Sequence, residues 1–106
     1  MATFADIEFE LASTTDGGRR SPIWVGKVTD QGYMPHLRIV GDDEDYLGIE
    51  FVDGPGQMIS PGENGFATVR FMYEPQVSYN ALVDGAAFEI REGGQIVGTG
   101  RILRRY

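Results

Sequence analysis

The densest set of residues that could do chemistry lies in Phe88–Leu103, FEIREGGQIVGTGRIL, with glycines at 93, 94, 98 and 100. Glycines at this density could cradle a phosphate, because bare backbone N–H groups can approach an anion closely. A phosphate loop requires G-x-x-x-x-G-K-[ST], and the single lysine, Lys27, is followed by Val28. A dinucleotide fingerprint requires G-x-G-x-x-G ahead of a helix; Gly98-Thr99-Gly100 begins one, but Leu103 stands at the third glycine's position. The run Asp42-Asp43-Glu44-Asp45 lacks the alternating ligands and central glycine of a calcium loop, and reads as a solvated acidic turn. His36 is the only histidine and is expected on the exposed face of a strand. Ser13, Ser21, Ser60 and Ser78 lie among turn formers, with no nucleophile elbow around them. No catalytic set, metal site or cofactor site emerges, and the chain is expected to be no enzyme.

Composition narrows the classes further. A chain of 106 residues buries about 60–70% of its unfolded surface, which supports one core. Glycine, at 15 residues, is about twice as frequent as usual. Lysine and alanine are scarce, which favours strands joined by glycine turns over helices. There is no cysteine, so disulfides and thiolate chemistry are excluded. The first residues, MATFADIEFE, lack the basic and apolar regions of a signal peptide, and no apolar run reaches membrane-spanning length. A cytoplasmic protein with no membrane partner is expected. Sixteen acidic residues against nine basic ones give a net charge of −7, which repels a phosphate backbone on average. The cations are unevenly placed, with Arg19 and Arg20 adjacent and Arg101, Arg104 and Arg105 together near the last residue.

Elements that could position these residues follow from alternation. Ile7, Phe9 and Leu11 face one way and Asp6, Glu8 and Glu10 the other, which predicts a half-buried strand over Ala5–Leu11. Similar patterns predict strands over Pro35–Val40, Tyr46–Val52, Ala67–Tyr73, Ala86–Arg91 and Gln95–Leu103. Between the first two lies a long segment, Arg19–Gln31, in which Pro22 argues against a central strand. Its apolar trio, Ile23-Trp24-Val25, is expected to cover one end of a core, and Val77–Val83 is an unassigned connector. Gly93-Gly94 reads as the turn of the last hairpin, with Ile96, Gly98, Gly100 and Ile102 on one face. Six strands with no helix to cover them must close into a barrel or form a sandwich to bury their apolar sides, and a small antiparallel barrel is the natural answer. The expected fold is all-β, a six-stranded antiparallel closed barrel forming a single domain over residues 1–106.

Several strings taken in order resemble the third, C-terminal β-barrel domain of elongation factor Tu. They are IEFELASTTDGGRRSPIWVG, GYMPHLRIVG, ISPGENGFATVRFMYEP and FEIREGGQIVGTGRIL, and together they span nearly the whole chain. The resemblance implies the same barrel. It also implies a domain that does no chemistry, packs on a GTPase domain, and helps hold the T-arm of aminoacyl-tRNA. No GTPase domain fits in this length, so no GTP binding is expected. Three family cations are replaced here, by Met34, Ala87 and Gln95, while Arg20 stands where the family has histidine and the Trp24–Gly32 loop is longer.

Two functions follow as expectations. The first is a stand-alone interaction module that binds a protein partner, translation-related by resemblance, through an exposed apolar patch at Ile23, Trp24 and Val25, or that pairs as a homo-oligomer. The alternative is RNA or tRNA binding through Arg19, Arg20, Arg101, Arg104 and Arg105, which requires those arginines to converge on one face.

Overall fold

Alternation alone settles the first strand. β1 (Phe4–Leu11) buries Ala5, Ile7, Phe9 and Leu11 and turns Asp6, Glu8 and Glu10 outward. The computed structural model describes residues 3–41 and 46–106, so the acidic turn expected at Asp42–Asp45 lies outside the described residues. Seven further strands follow: β2 (Ile23–Val25), β3 (His36–Ile39), β4 (Leu47–Asp53), β5 (Gln57–Ile59), β6 (Asn64–Phe71), β7 (Ala87–Glu92) and β8 (Gln95–Arg105). The six expected strands close into one antiparallel barrel in the order β1-β6-β4-β3-β7-β8, with β1 pairing to both β6 and β8. β2 and β5 were not foreseen. They form a separate two-stranded ribbon.

Closing so few strands leaves little interior room, and glycine supplies the space. Phe9 on β1 stands in register with Gly65 on β6 and Gly100 on β8. A Cβ on Gly65 would come within 2.8 Å of the Phe9 ring, and one on Gly100 within 2.9 Å of the Phe88 ring. Aromatic rings therefore lie where glycine side chains would be, and the ladder stays covered at its barest points. The G-x-G string is a packing device rather than an anion cradle.

Both mouths of the barrel are filled from outside the six strands. At one, Tyr79 and Leu82 from the unassigned connector are fully buried. The Tyr79 ring stacks on Phe71 at 4.7 Å, and its hydroxyl donates to the Gly48 carbonyl at 2.6 Å. At the other, Ile23, Val25 and Ile59 of the ribbon join the core.

Two expected side-chain directions are corrected. Ile96 is 42% exposed rather than inward, because Ile90 pairs with Gly98 while Arg91 pairs with Ile96. The extra residue, Val97, is a β-bulge that turns into the core and reverses the alternation before it. Alternation over the predicted strand Ala67–Tyr73 sets Tyr73 on the same face as Ala67, Val69 and Phe71, but β6 ends at Phe71 and Tyr73 is exposed.

The glycines give a direct test. Gly100→Ala should lower unfolding free energy by about 1–3 kcal/mol through overpacking against Phe88 and β1. Gly94→Ala, where a Cβ meets open space, should change it by less than about 0.5 kcal/mol. Urea denaturation of the two variants compares them.

Candidate interaction surface

The expected contact trio is divided by strand alternation. Pro22 lies just before β2 and outside the barrel sheet, so it does not prevent Ile23–Val25 from pairing with Gln57–Ile59. Ile23 and Val25 then point into the core, at 3% and 0% exposure, and cannot be contact residues in the folded chain. Trp24 alone points out, beside its cross-strand partner Met58. The indole Nε1 donates to the Lys27 carbonyl at 3.2 Å, which fixes the ring on the ribbon's outer face. Met58 was missed because a three-residue strand shows no usable alternation. Its only sequence signal is an apolar pair, Met58-Ile59, between the turn clusters at Gly54–Gly56 and Ser60–Gly65.

The five candidate RNA-binding arginines do not converge. Gln95, at the start of β8, donates to the Gly17 and Gly18 carbonyls and so ties the first loop to that end of the barrel. Arg105 lies at the other end of the same strand, about 30 Å along by the rise of an extended chain. Four of the five are also engaged. Arg19 pairs with Glu92 and lies 4.9 Å over the Tyr33 ring. Arg101 pairs with Glu8, and Arg104 reaches Asp6 at 3.3 Å. Arg105 binds Glu74 at 2.8 Å and the Tyr79 carbonyl at 2.7 Å. Only Arg20 of the five is exposed without such a partner among the described residues. Arg19 and Arg105 are partly buried and hold a loop and a strand end, whereas Arg101 and Arg104 stay largely exposed in surface pairs.

Glu92 and Glu50 anchor the long first connection. Glu92 accepts from both Arg19 and the Tyr33 hydroxyl, and burial followed by this bond holds the Tyr33 hydroxyl well above its usual range. The buried Glu50 accepts from the Gly32 N–H at 3.0 Å and from Arg70 at 2.7 Å, bonds that hold its carboxyl below the ordinary range.

A pocket of about 410 Å³ lies beside β3, lined by Met34, His36, Tyr46, Met72, Tyr73 and Arg91 among others. His36 is corrected from exposed to buried, at 3%. Its ring stacks on Tyr46 with centroids 3.4 Å apart. Among the described residues its Nε2 has no hydrogen-bond partner. A wider groove of about 590 Å³ crosses the outer wall between Phe66 and Val40. Among the described residues no three His, Asp or Glu side chains gather to hold a metal ion.

Burial, then the charges of Arg38 and Arg91, lowers the His36 pKa below its ordinary 6.5. The unfolded chain then takes up this proton more readily than the folded one, so stability is greatest above pH about 6.5 and declines as pH falls toward the lowered value. Unfolding free energies at pH 7.5 and 5.5 should show this decline, and His36→Phe should reduce it. No protein-family model matches the chain.

Proposed function

We propose that this barrel is a non-catalytic interaction module and that it binds a protein partner through a surface centred on Trp24 and Met58. The observation that carries the reading is the two-sidedness of the ribbon. Its inner face fills a mouth of the barrel, so its outer face presents a tryptophan and a methionine, 43% and 52% exposed, on a rigid base. A large aromatic held in place loses little conformational freedom on binding, which is why tryptophan recurs at the energetic centres of protein contacts. Methionine adds a soft, adaptable neighbour. The resemblance to the C-terminal domain of elongation factor Tu points to a partner from the translation apparatus, and to a cytoplasmic setting. No helix among the described residues is long and apolar enough to cross a membrane.

Affinity capture from native lysate, with protein and RNA both identified, tests this reading. The wild-type chain should retain a protein partner that Trp24→Ala loses, while the variant's unfolding free energy stays within about 1 kcal/mol of wild type. A partner that survives the substitution, or RNA recovered without protein, overturns the reading. In a gel-shift titration, bulk tRNA at moderate salt should remain unshifted by micromolar protein.

A further inference from the structure

A closed barrel leaves no open strand edge, because every strand has a neighbour on each side. Among the described residues the β2–β5 ribbon is the exception. β5 pairs on one side with β2, through Ile59–Ile23, Met58–Trp24 and Gln57–Val25, and no strand pairs with its other side. Backbone groups in an antiparallel strand point alternately to either side, so this outer edge carries N–H and C=O groups with no ladder partner.

Beside the edge runs a crease of about 470 Å³, lined by Gln57, Met58 and Ile59 on one wall and Gly62, Glu63 and Asn64 on the other. No β2 residue lines it, which places it on the side of β5 away from β2. Glu63 is held at the crease, its Oε1 accepting from the Ser60 N–H at 2.8 Å. Its Oε2 has no protein partner among the described residues.

We propose that this crease receives an extended segment of a protein partner, added to β5 as a third strand. That segment carries an apolar residue opposite Met58 and a lysine or arginine that reaches Glu63. The inference rests on the protein-binding reading above and gives it a mode. A bare strand edge selects for extended backbone, since only a periodic series of N–H and C=O groups can match it. An apolar residue opposite Met58 continues the row Trp24–Met58 onto the incoming strand, where cross-strand side chains pack. Charge chooses between occupants: Glu63 and a net charge of −7 favour a basic segment. A second copy of this chain would set one Glu63 against another, with −7 on each side.

Amide-resolved NMR of the ¹⁵N-labelled chain tests this with a capped eight-residue peptide of alternating valine and lysine. Its counterparts carry glutamate for lysine, or backbone N-methyl groups on alternate residues. The lysine peptide should shift the amides of Gln57, Met58 and Ile59 and slow the hydrogen exchange of those facing the crease. N-methylation, which removes the ladder bonds and keeps the side chains, should weaken binding about tenfold or more. The glutamate peptide, and the lysine peptide with Glu63→Gln protein, should each bind several-fold more weakly. Equal binding of the N-methylated peptide, or no shift at these three amides, overturns strand addition. Shifts there that grow with protein concentration and no peptide assign the edge to a second copy and overturn it too. A Trp24-dependent partner captured from lysate alongside a silent edge sinks the strand addition and leaves the protein-binding reading intact.

Discussion

The fold depends on β1 having two neighbours. It holds β6 through seven paired positions, from Phe4–Arg70 to Glu10–Asn64, and β8 through a second set that ends at Leu11–Gly98. Remove either ladder and the sheet opens into an edge-bearing ribbon whose inner face, with Ile7, Phe9 and Leu11, is wet. Cross-strand ion pairs from Arg101 and Arg104 to Glu8 and Asp6 decorate this seam, but exposed pairs of this kind are each worth about 1 kcal/mol or less. The larger stabilisation comes from the apolar row beneath them, at about 25 cal/mol for each Å² removed from water.

Closure creates a second demand, since a barrel of six strands has two mouths and each must be kept dry. Tyr79 and Leu82 answer at one and the ribbon at the other. The ribbon is thereby fixed in place by the same burial that completes the core, and its outward residues inherit that rigidity. Trp24 is presented firmly because Ile23 and Val25 on either side of it are buried. The arginines follow a parallel logic. Side chains that looked from the sequence like a nucleic-acid surface are used to hold loops and strand ends: Arg19 at Glu92, and Arg105 at Glu74 and Tyr79.

The six barrel strands were legible because each has at least four residues of near-regular alternation, and turn formers separate them. Where alternation fails, so does the reading, and the causes are particular. Val97 inserts one residue into β8 and reverses the inward face before it, which misplaced Ile96. β2 and β5 have three residues each, too short for a period of two to stand out. Tyr79 lies in a connector with no repeating pattern, and only the geometry of the barrel mouth reveals it as core. His36 follows its predicted strand phase, but Tyr46 covers the outer face at that point, so the outward direction is not an exposed one. Of the contact surface, Trp24 was legible as an unusual aromatic in a long segment. Met58 was not, since it acquires its meaning only from a partner strand more than thirty residues away.

The seam between β1 and β8 also sets an order of events in time. It brings Ile7 against Ile102, residues from nearly opposite ends of the sequence. During synthesis β1 emerges well before β8 and waits, half-paired at best, until β8 has been made. Contacts so distant in sequence carry a large loop-closure cost before they return any stability, and folds dominated by them fold slowly, on the millisecond-to-second scale. Until β8 arrives, the flank of β1 is an unclosed strand with an apolar face. The nascent protein is thus exposed to mispairing at a place where the finished one has no edge at all.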